Sequence, residues 1–388
     1  MDLFEADKQY IAGTYKRFPV AIASGRGSVL TDFAGKEYID MGCGIGVTSF
    51  GIADEEWRQA VADQAGKVQH TSNLYYTEPC VRLAGMLCER TGMKKVFFSN
   101  SGAEANECAI KAARKYAAGK HGPDCYTVVT LNNSFHGRTL TTLAATGQAH
   151  YHELYRPLTP GFESIDAGDL AALKKLAEKV GIAAVMIECV QGEGGVLPVS
   201  REFVAGLREW CTENDAILIV DEVQTGNGRS GELYAYMTYG IVPDAVSTAK
   251  GLAGGLPLGA TLLGDKLRDV FGFGDHGSTF GGNPVCCAAA LSVLSRIDGP
   301  LLASVREKAA YMREQFNGAP GIEEVTGIGL LVGLKTVRPA AEIVTELIGE
   351  GVLCLTAKDR VRLMPALNIP SGVLARAVEK IKTVCAKI

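Results

Sequence analysis

Between Lys94 and Gly264 the chain keeps returning to short, almost uninterrupted apolar runs: "KKVFFSN", "CYTVVTLN", "IAAVMIECV", "AILIVDE", "DAVSTAK" and "GATLLG". Stretches of helical period lie between several of them. One is "AEANECAIKAARKYAA", whose Ala109, Ile110, Ala113, Tyr116 and Ala117 share a face; others are "DLAALKKLAEKV" and "FVAGLREWCTEND". A strand that is apolar at nearly every position has no face left for solvent. The rhythm therefore predicts an α/β chain with a mixed, mostly parallel sheet covered by helices on both sides. The 46 glycines suit the tight strand–helix turns such a sheet needs.

The character changes at "GGNPVCCAAALSVLSRI", where Asn283 reads as a helix cap and Pro284 as the first helical residue. A second helix and short strands around "VTGIGLLVGLK" and "GVLCLTAKDRVRLMP" come after it. The expected division is a large domain over 56–284, a smaller α+β domain over 285–388, and a strand-rich N-terminal segment, 1–55, packing with the smaller domain.

Bulk properties exclude several classes. A chain of 388 residues with 47% hydrophobic and 21% charged residues is expected to be globular with a sizeable core. Its net charge is −4, with both signs interspersed, so no basic stripe marks it for nucleic acid. The N-terminus "MDLFEADKQYIAGTYKRF" lacks an apolar core of signal-peptide length, and no apolar run approaches a membrane span. The expectation is a cytoplasmic protein. Eleven cysteines form no C-x-x-C pair and sit mostly in apolar contexts, which predicts reduced thiols used as small core residues. His150 and His152 have no further ligands near them in sequence, so no metal is expected.

The residues just past each strand carry the chemistry, because open α/β sheets bind ligands at the carboxyl ends of their strands. Asp221 and Glu222 come after "AILIV". Lys250 comes after "DAVSTA" and is the one charged side chain in "VSTAKGLAGGLPLGA". "SNSGAEANE" succeeds "VFF", with Ser101, Gly102 and Ala103 opening a helix whose free N–H groups favour a phosphate. Taken singly, these are a solvated lysine, a turn aspartate and a helix cap. Together they describe one ligand with a phosphate, a ring nitrogen that wants a carboxylate and a carbonyl that wants an amine. Pyridoxal phosphate has all three, held as a lysine Schiff base with an aspartate on its pyridinium nitrogen. Apolar surroundings make a lysine amine easier to deprotonate and hence nucleophilic.

"SNSGAEANE", "NSFHGRT", "QGEGG", "DEVQTG", "STAKGLAGGLPLGA" and "GSTFGGNP" stand in the order and spacing of the class III aminotransferases, and the resemblance runs from about Gly25 to the C-terminus. "HTSNLYYTEP" and "TYKRFPV" look most like the acetylornithine branch of that family. The resemblance implies the type I pyridoxal-phosphate fold, a homodimer with active sites at the subunit interface, and ping-pong kinetics. It implies that Lys250 bears the cofactor and shuttles a proton, while Asp221 pairs with the ring nitrogen. It places Val223 and Phe135 on the ring faces, Gln224 at the ring hydroxyl, and Ser101, Gly102 and Ala103 around the phosphate. Thr279 resembles a threonine that reaches the phosphate from the other subunit, with Ser278 beside it at the substrate. Arg138 matches the arginine that grips a substrate carboxylate, and Glu193 with Arg362 a gating pair. The implied reaction takes N2-acetylornithine and 2-oxoglutarate to N-acetylglutamate semialdehyde and glutamate, in arginine biosynthesis.

Alternatives in the same family act on succinylornithine, N-succinyl-diaminopimelate, ornithine or 4-aminobutyrate. An aminomutase of the glutamate-1-semialdehyde type is opposed by Arg138 together with "HTSNLYY". A pyridoxal-phosphate-binding regulator would need a DNA-binding segment, and no basic helix-turn-helix stretch is present. The chain departs from its relatives in three places: "GIADEEW" where they usually carry Gly-His-x-His-Pro, Cys189 where they have Pro, and Ser230 where they have Thr. The first departure falls near the expected N-terminal substrate-binding region.

Overall fold

The computed structural model describes residues 2–387. A seven-stranded sheet lies at its centre, in the order Lys95–Ser99, Gly259–Leu263, Ala245–Thr248, Ile217–Asp221, Gly181–Ile187, Cys125–Leu131 and Phe162–Ile165. Neighbours are parallel except at Gly259–Leu263, which runs antiparallel to the strands on both its sides. Alternate side chains enter different cores. Val129, Leu131, Val185, Ile187, Leu218 and Val220 pack with the helices Glu78–Thr91 and Arg201–Glu213. Val128, Ala184, Met186, Ile217, Ile219 and Ala245 pack beneath the helix Gly102–His121. A period of two with both faces buried explains why the runs read as apolar at every position. The mixed, mostly parallel α/β sheet is the one the sequence predicts.

"IAAVMIECV" is not one strand. The ladder ends at Ile187, Glu188 and Cys189 leave it, and Val190–Gln191 pairs instead with Leu197–Pro198. The break frees Glu188 to turn away from the sheet.

A second core lies in the C-terminal part. An antiparallel sheet of Ile322–Ile328, Leu331–Thr336, Arg360–Leu363 and Leu355–Ala357 is covered by the helices Gly299–Phe316, Ala340–Gly349 and Ser371–Cys385. The N-terminal strands Ile22–Arg26, Val29–Asp32 and Glu37–Asp40 form a further sheet, whose fourth member is Val352–Leu353, and Ile39 and Met41 enter the second core. The helix Pro284–Arg296, expected from sequence in the small domain, packs instead in the first core through Cys287, Ala290, Val293 and Leu294, against Glu55–Ala65 and Glu78–Thr91. A helix this apolar is buried nearly all round, so the change of character in the sequence marks a core helix rather than a boundary. We propose that the division falls after it, near Asp298.

Arg229 joins the two cores. Its guanidinium is buried and donates to the carbonyls of Leu330, at 3.3 Å, and Pro365, while its own carbonyl accepts from Leu330 N at 2.9 Å. All eleven cysteines are free and only Cys80 and Cys88 are not fully buried. Burial pushes the thiols of Cys108 and Cys211 up to about 12, so they pack as neutral groups. Among the described residues no single helix is long and apolar enough to cross a membrane.

Candidate active site

The carboxyl ends of the parallel strands open into a cavity of about 460 Å³. Asp221 is the last residue of its strand and is buried. Its carboxylate accepts from three donors: Asn106 Nδ2 at 2.8 Å, His136 Nδ1 at 2.8 Å and its own chain at Val223 N, 3.0 Å. A carboxylate only accepts, so His136 carries its proton on Nδ1, and its buried Nε2 has no partner among the described residues. Asn106 is fixed in turn by Ser247 Oγ at 2.5 Å and by the carbonyl of His136 at 2.7 Å. Asp221 is thereby held as a rigid, oriented charge on the cavity wall.

Lys250 starts a short 3-10 turn, Lys250–Ala253, just past the strand Ala245–Thr248. Its backbone is in the left-handed region at φ +44°, uncommon for a side-chain-bearing residue. Burial pulls its amine below the ordinary lysine value, while the charge of Glu193 opposes this and that of Arg362 adds to it. Nζ has no hydrogen-bond partner among the described residues, so the amine is left available to the cavity.

The helix Gly102–His121 brings its N-terminus to the same space. Ser101 caps it by accepting from Glu104 N at 3.2 Å, and Glu104 returns to Asn100 N at 2.7 Å. The amides of Gly102 and Ala103 stay unpaired, as the first helical N–H groups must, and a helix of 20 residues adds a full dipole behind them. Gly102 is required here: a Cβ would come within 2.6 Å of Val223 Cγ1. A carboxylate, an amine and an anion cradle thus share one cavity, a donor set that fits pyridoxal phosphate at each of its three reactive points.

The acid groups in and behind this cavity differ in kind. Burial pulls Glu193 toward its neutral form, but the Arg362 guanidinium at 2.5 Å and Gln224 Nε2 at 3.1 Å hold its carboxyl below the usual range. Arg362 is 3% exposed and also donates to Gln224 Oε1 at 3.1 Å. Glu188 accepts from Phe135 N at 3.0 Å and Gly192 N at 3.3 Å, and Glu222 from Tyr236 N at 2.7 Å and Thr225 Oγ1 at 2.5 Å. Burial first, and Asp221's charge as well, raise both carboxyls from 4.5 to about 7. Each therefore keeps a proton in the folded chain that the unfolded chain releases above pH 4.5. The stability this contributes is full below 4.5 and is lost as pH rises through about 7, roughly 3 kcal/mol per group. Glu222→Gln preserves both contacts, with the amide donating to Thr225. We expect its melting temperature to fall less than the parent's between about pH 5 and about pH 8 in calorimetry. Equal falls would contradict a protonated Glu222.

Of the residues singled out from sequence, Ser101, Gly102, Ala103, Phe135, Arg138, Glu193, Asp221, Val223, Gln224 and Lys250 all line this cavity. Arg362 stands behind Glu193 and Gln224. Arg138 is exposed at the rim, stacked 4.1 Å from the Tyr151 ring centre, and pairs with no carboxylate among the described residues. Ser278 and Thr279 lie outside. Ser278 Oγ accepts from Asn100 Nδ2 at 3.2 Å, one residue behind the wall, and Thr279 faces solvent. Asn106, His136 and Glu188 line the cavity without having been singled out.

The family model for class III aminotransferases matches residues 10–385. The chain belongs to the class III aminotransferases. It is 47% identical over 376 residues to an acetylornithine aminotransferase of Haemophilus ducreyi, covering 96% of each chain. It is 42% identical over 390 residues to a succinylornithine transaminase of Citrobacter koseri, covering 98% of this chain and 96% of the other. A solved ornithine aminotransferase of Toxoplasma gondii, with pyridoxal phosphate partially occupying its active site, superimposes with a TM-score of 0.93 at 32% identity, covering 99% of this chain and 93% of that one. The sheet and its layers are thus the type I fold of pyridoxal-phosphate aminotransferases, and this class III aminotransferase is a pyridoxal-phosphate-dependent transaminase of small molecules.

Proposed function

We propose that the chain is an acetylornithine aminotransferase, converting N2-acetyl-L-ornithine and 2-oxoglutarate to N-acetyl-L-glutamate 5-semialdehyde and L-glutamate in cytoplasmic arginine biosynthesis. One observation carries the reading: Arg138 is free at the rim while Arg362 is closed by Glu193 at 2.5 Å. N2-acetylornithine has one free carboxylate and needs one arginine. Glutamate has two and needs a second. The 47% identity to an acetylornithine enzyme supports the acetyl group. The 42% identity to a succinylornithine enzyme makes the succinyl analogue the second reading.

The work is divided among the residues. Gly102 and Ala103 N–H groups, with Ser101, would hold the phosphate; Asp221 would favour a proton on the ring nitrogen; Phe135 and Val223 would confine the ring, and Gln224 would meet its hydroxyl. Bound pyridoxal phosphate supplies an electron-withdrawing ring to the amine-bearing carbon of the substrate. With the cofactor bound, Lys250, its proton affinity lowered by burial, would be the group that takes the proton from that carbon and hands it on. Arg138 would orient the carboxylate by a planar two-bond grip, and Ser278, outside this chain's own cavity, would be a substrate contact from a second copy.

A homodimer is part of the proposal. Asn73 Nδ2 donates to Ser278 O and Gly281 O, both at 2.9 Å, and so brings "HTSNLYY" against "GSTFGG". Leu74, Tyr75, Tyr76 and Phe280 stand exposed there, an apolar surface suited to a second copy, from which Thr279 would reach the neighbouring phosphate.

The test is paired half-reactions on the pyridoxal-phosphate form with acetylornithine, succinylornithine, N-succinyl-diaminopimelate, ornithine and 4-aminobutyrate, each reversed with 2-oxoglutarate. Fastest conversion with acetylornithine supports the proposal, and fastest conversion with another amine replaces it. Glu193→Gln leaves Arg362 without a carboxylate partner. The ratio of kcat/KM for glutamate over acetylornithine should then rise by about tenfold or more, since each 1.4 kcal/mol is a factor of ten. An unchanged ratio would remove the gating role.

A further inference from the structure

The segment in which this chain departs from its relatives does not line the cavity. It lies behind the turn that carries Lys250. Asp54 caps the helix Glu55–Ala65 by accepting from Trp57 N at 3.0 Å, and the same carboxylate pairs with Arg296 at 2.8 Å. The first turn of this helix is thereby anchored to the end of Pro284–Arg296. From that fixed base Trp57 extends its indole, and Nε1 donates to the carbonyl of Ala253 at 2.8 Å, the last residue of the lysine turn.

The contact is shaped for an indole. Gly254, at φ +62°, ends the turn in the left-handed region, and a Cβ there would lie 3.0 Å from both Trp57 Cδ1 and Nε1. Gly255 runs under the outer edge of the ring, its Cβ position 3.6 Å from Cζ2. Beyond it Gly255, Leu256, Pro257 and Leu258 line the cavity. One side chain therefore holds the junction between a turn whose start presents Lys250 and a continuation that forms the cavity wall.

We propose that Trp57 is a positioning residue for Lys250: its N–H fixes the Ala253 carbonyl, and its ring fixes the backbone of Gly254 and Gly255, so that the amine meets the cavity in one orientation. The proposal rests on Lys250 being the cofactor-bearing lysine. Without the indole, the turn loses the only side-chain hydrogen bond to its terminal carbonyl among the described residues, and a strained φ at Lys250 has less to hold it.

The experiment compares holoenzyme parent, Trp57→Phe and Trp57→Leu. Trp57→Phe keeps an aromatic ring on the glycines and removes the donor. Three quantities are read: melting temperature, the pH midpoint of the absorbance band of lysine-bound pyridoxal phosphate, and kcat against KM for the amino donor. Trp57→Phe should lower kcat by about tenfold with KM within about twofold, because small displacements of a reacting group cost rate rather than binding. The pH midpoint should move, and Trp57→Leu should be worse on both counts. A midpoint and kcat within about twofold of the parent in Trp57→Phe, or losses that track melting temperature alone across the two variants, overturn the proposal. A parent that develops no lysine-bound band with pyridoxal phosphate would instead overturn the Lys250 assignment, and this inference with it.

Discussion

Lys250→Ala abolishes turnover, lowering kcat by about 10⁴-fold, the upper end of what one acid–base group supplies. The variant still takes up pyridoxal phosphate weakly, since the helix N-terminus and Asp221 are untouched, but the absorbance band of lysine-bound cofactor is missing and the cofactor leaves on dialysis. The fold is not expected to suffer. Lys250 makes no side-chain hydrogen bond among the described residues, and its amine is held below its ordinary proton affinity by burial, so its removal relieves a desolvated group. Single-turnover half-reactions read the chemistry without product release. A variant within about tenfold of the parent would show that another group moves the proton.

Asp221→Asn has the second largest effect. The carboxylate accepts on Oδ2 from Asn106 and His136 and on Oδ1 from Val223 N. An amide in its place must turn its NH2 toward at least one of these donors, so a buried contact is lost along with the charge. Without a fixed negative charge, a proton on the ring nitrogen is no longer favoured. We expect kcat/KM to fall by about 10³-fold, comparable with the loss of a preorganised electrostatic group elsewhere. Asp221→Glu keeps the charge but displaces it by a methylene, and should fall between parent and Asn. Steady-state kinetics with saturating cofactor separate this from weaker cofactor binding. Retention of near-parent rates by the Asn variant would detach Asp221 from catalysis.

Asp221 and Lys250 were legible in the sequence because both stand at the ends of apolar strands and combine with the helix start after a third strand to describe one ligand. Ser101 and Gly102 were legible because strand, cap and helix are adjacent in the chain. Asn106, His136 and Glu188 were not. Asn106 lies 115 residues from Asp221 and His136 lies 85 residues from it, and the network exists only once the sheet has formed. A polar residue inside a helix and a histidine in a loop carry no local mark of such a role. Glu188 was hidden by its neighbours, since "IAAVMIECV" reads as a single buried strand until the ladder is seen to stop at Ile187. The helix Pro284–Arg296 misled for the opposite reason, its apolar composition signalling burial but not which core would bury it. Trp57 was not singled out: the departure read from the sequence was the stretch "GIADEEW" that ends in it, and nothing there told that an indole would meet the lysine turn.

Glu193 stands on the turn between Val190–Gln191 and Leu197–Pro198, which leaves the large sheet after Ile187, and Arg362 on the strand Arg360–Leu363 of the second core. Their ion pair crosses the line that Arg229 stitches. On the proposed reading, the enzyme swaps this pair for a substrate carboxylate once in every catalytic cycle, so the two cores are pulled together by different bonds in the two halves of the reaction. A flaw at the seam, at Arg229 or Pro365, would then leave an uneven trace. The donor half, run with the pair closed, would tolerate it, and the acceptor half would slow. The molecule would behave as a latch worn on one side only.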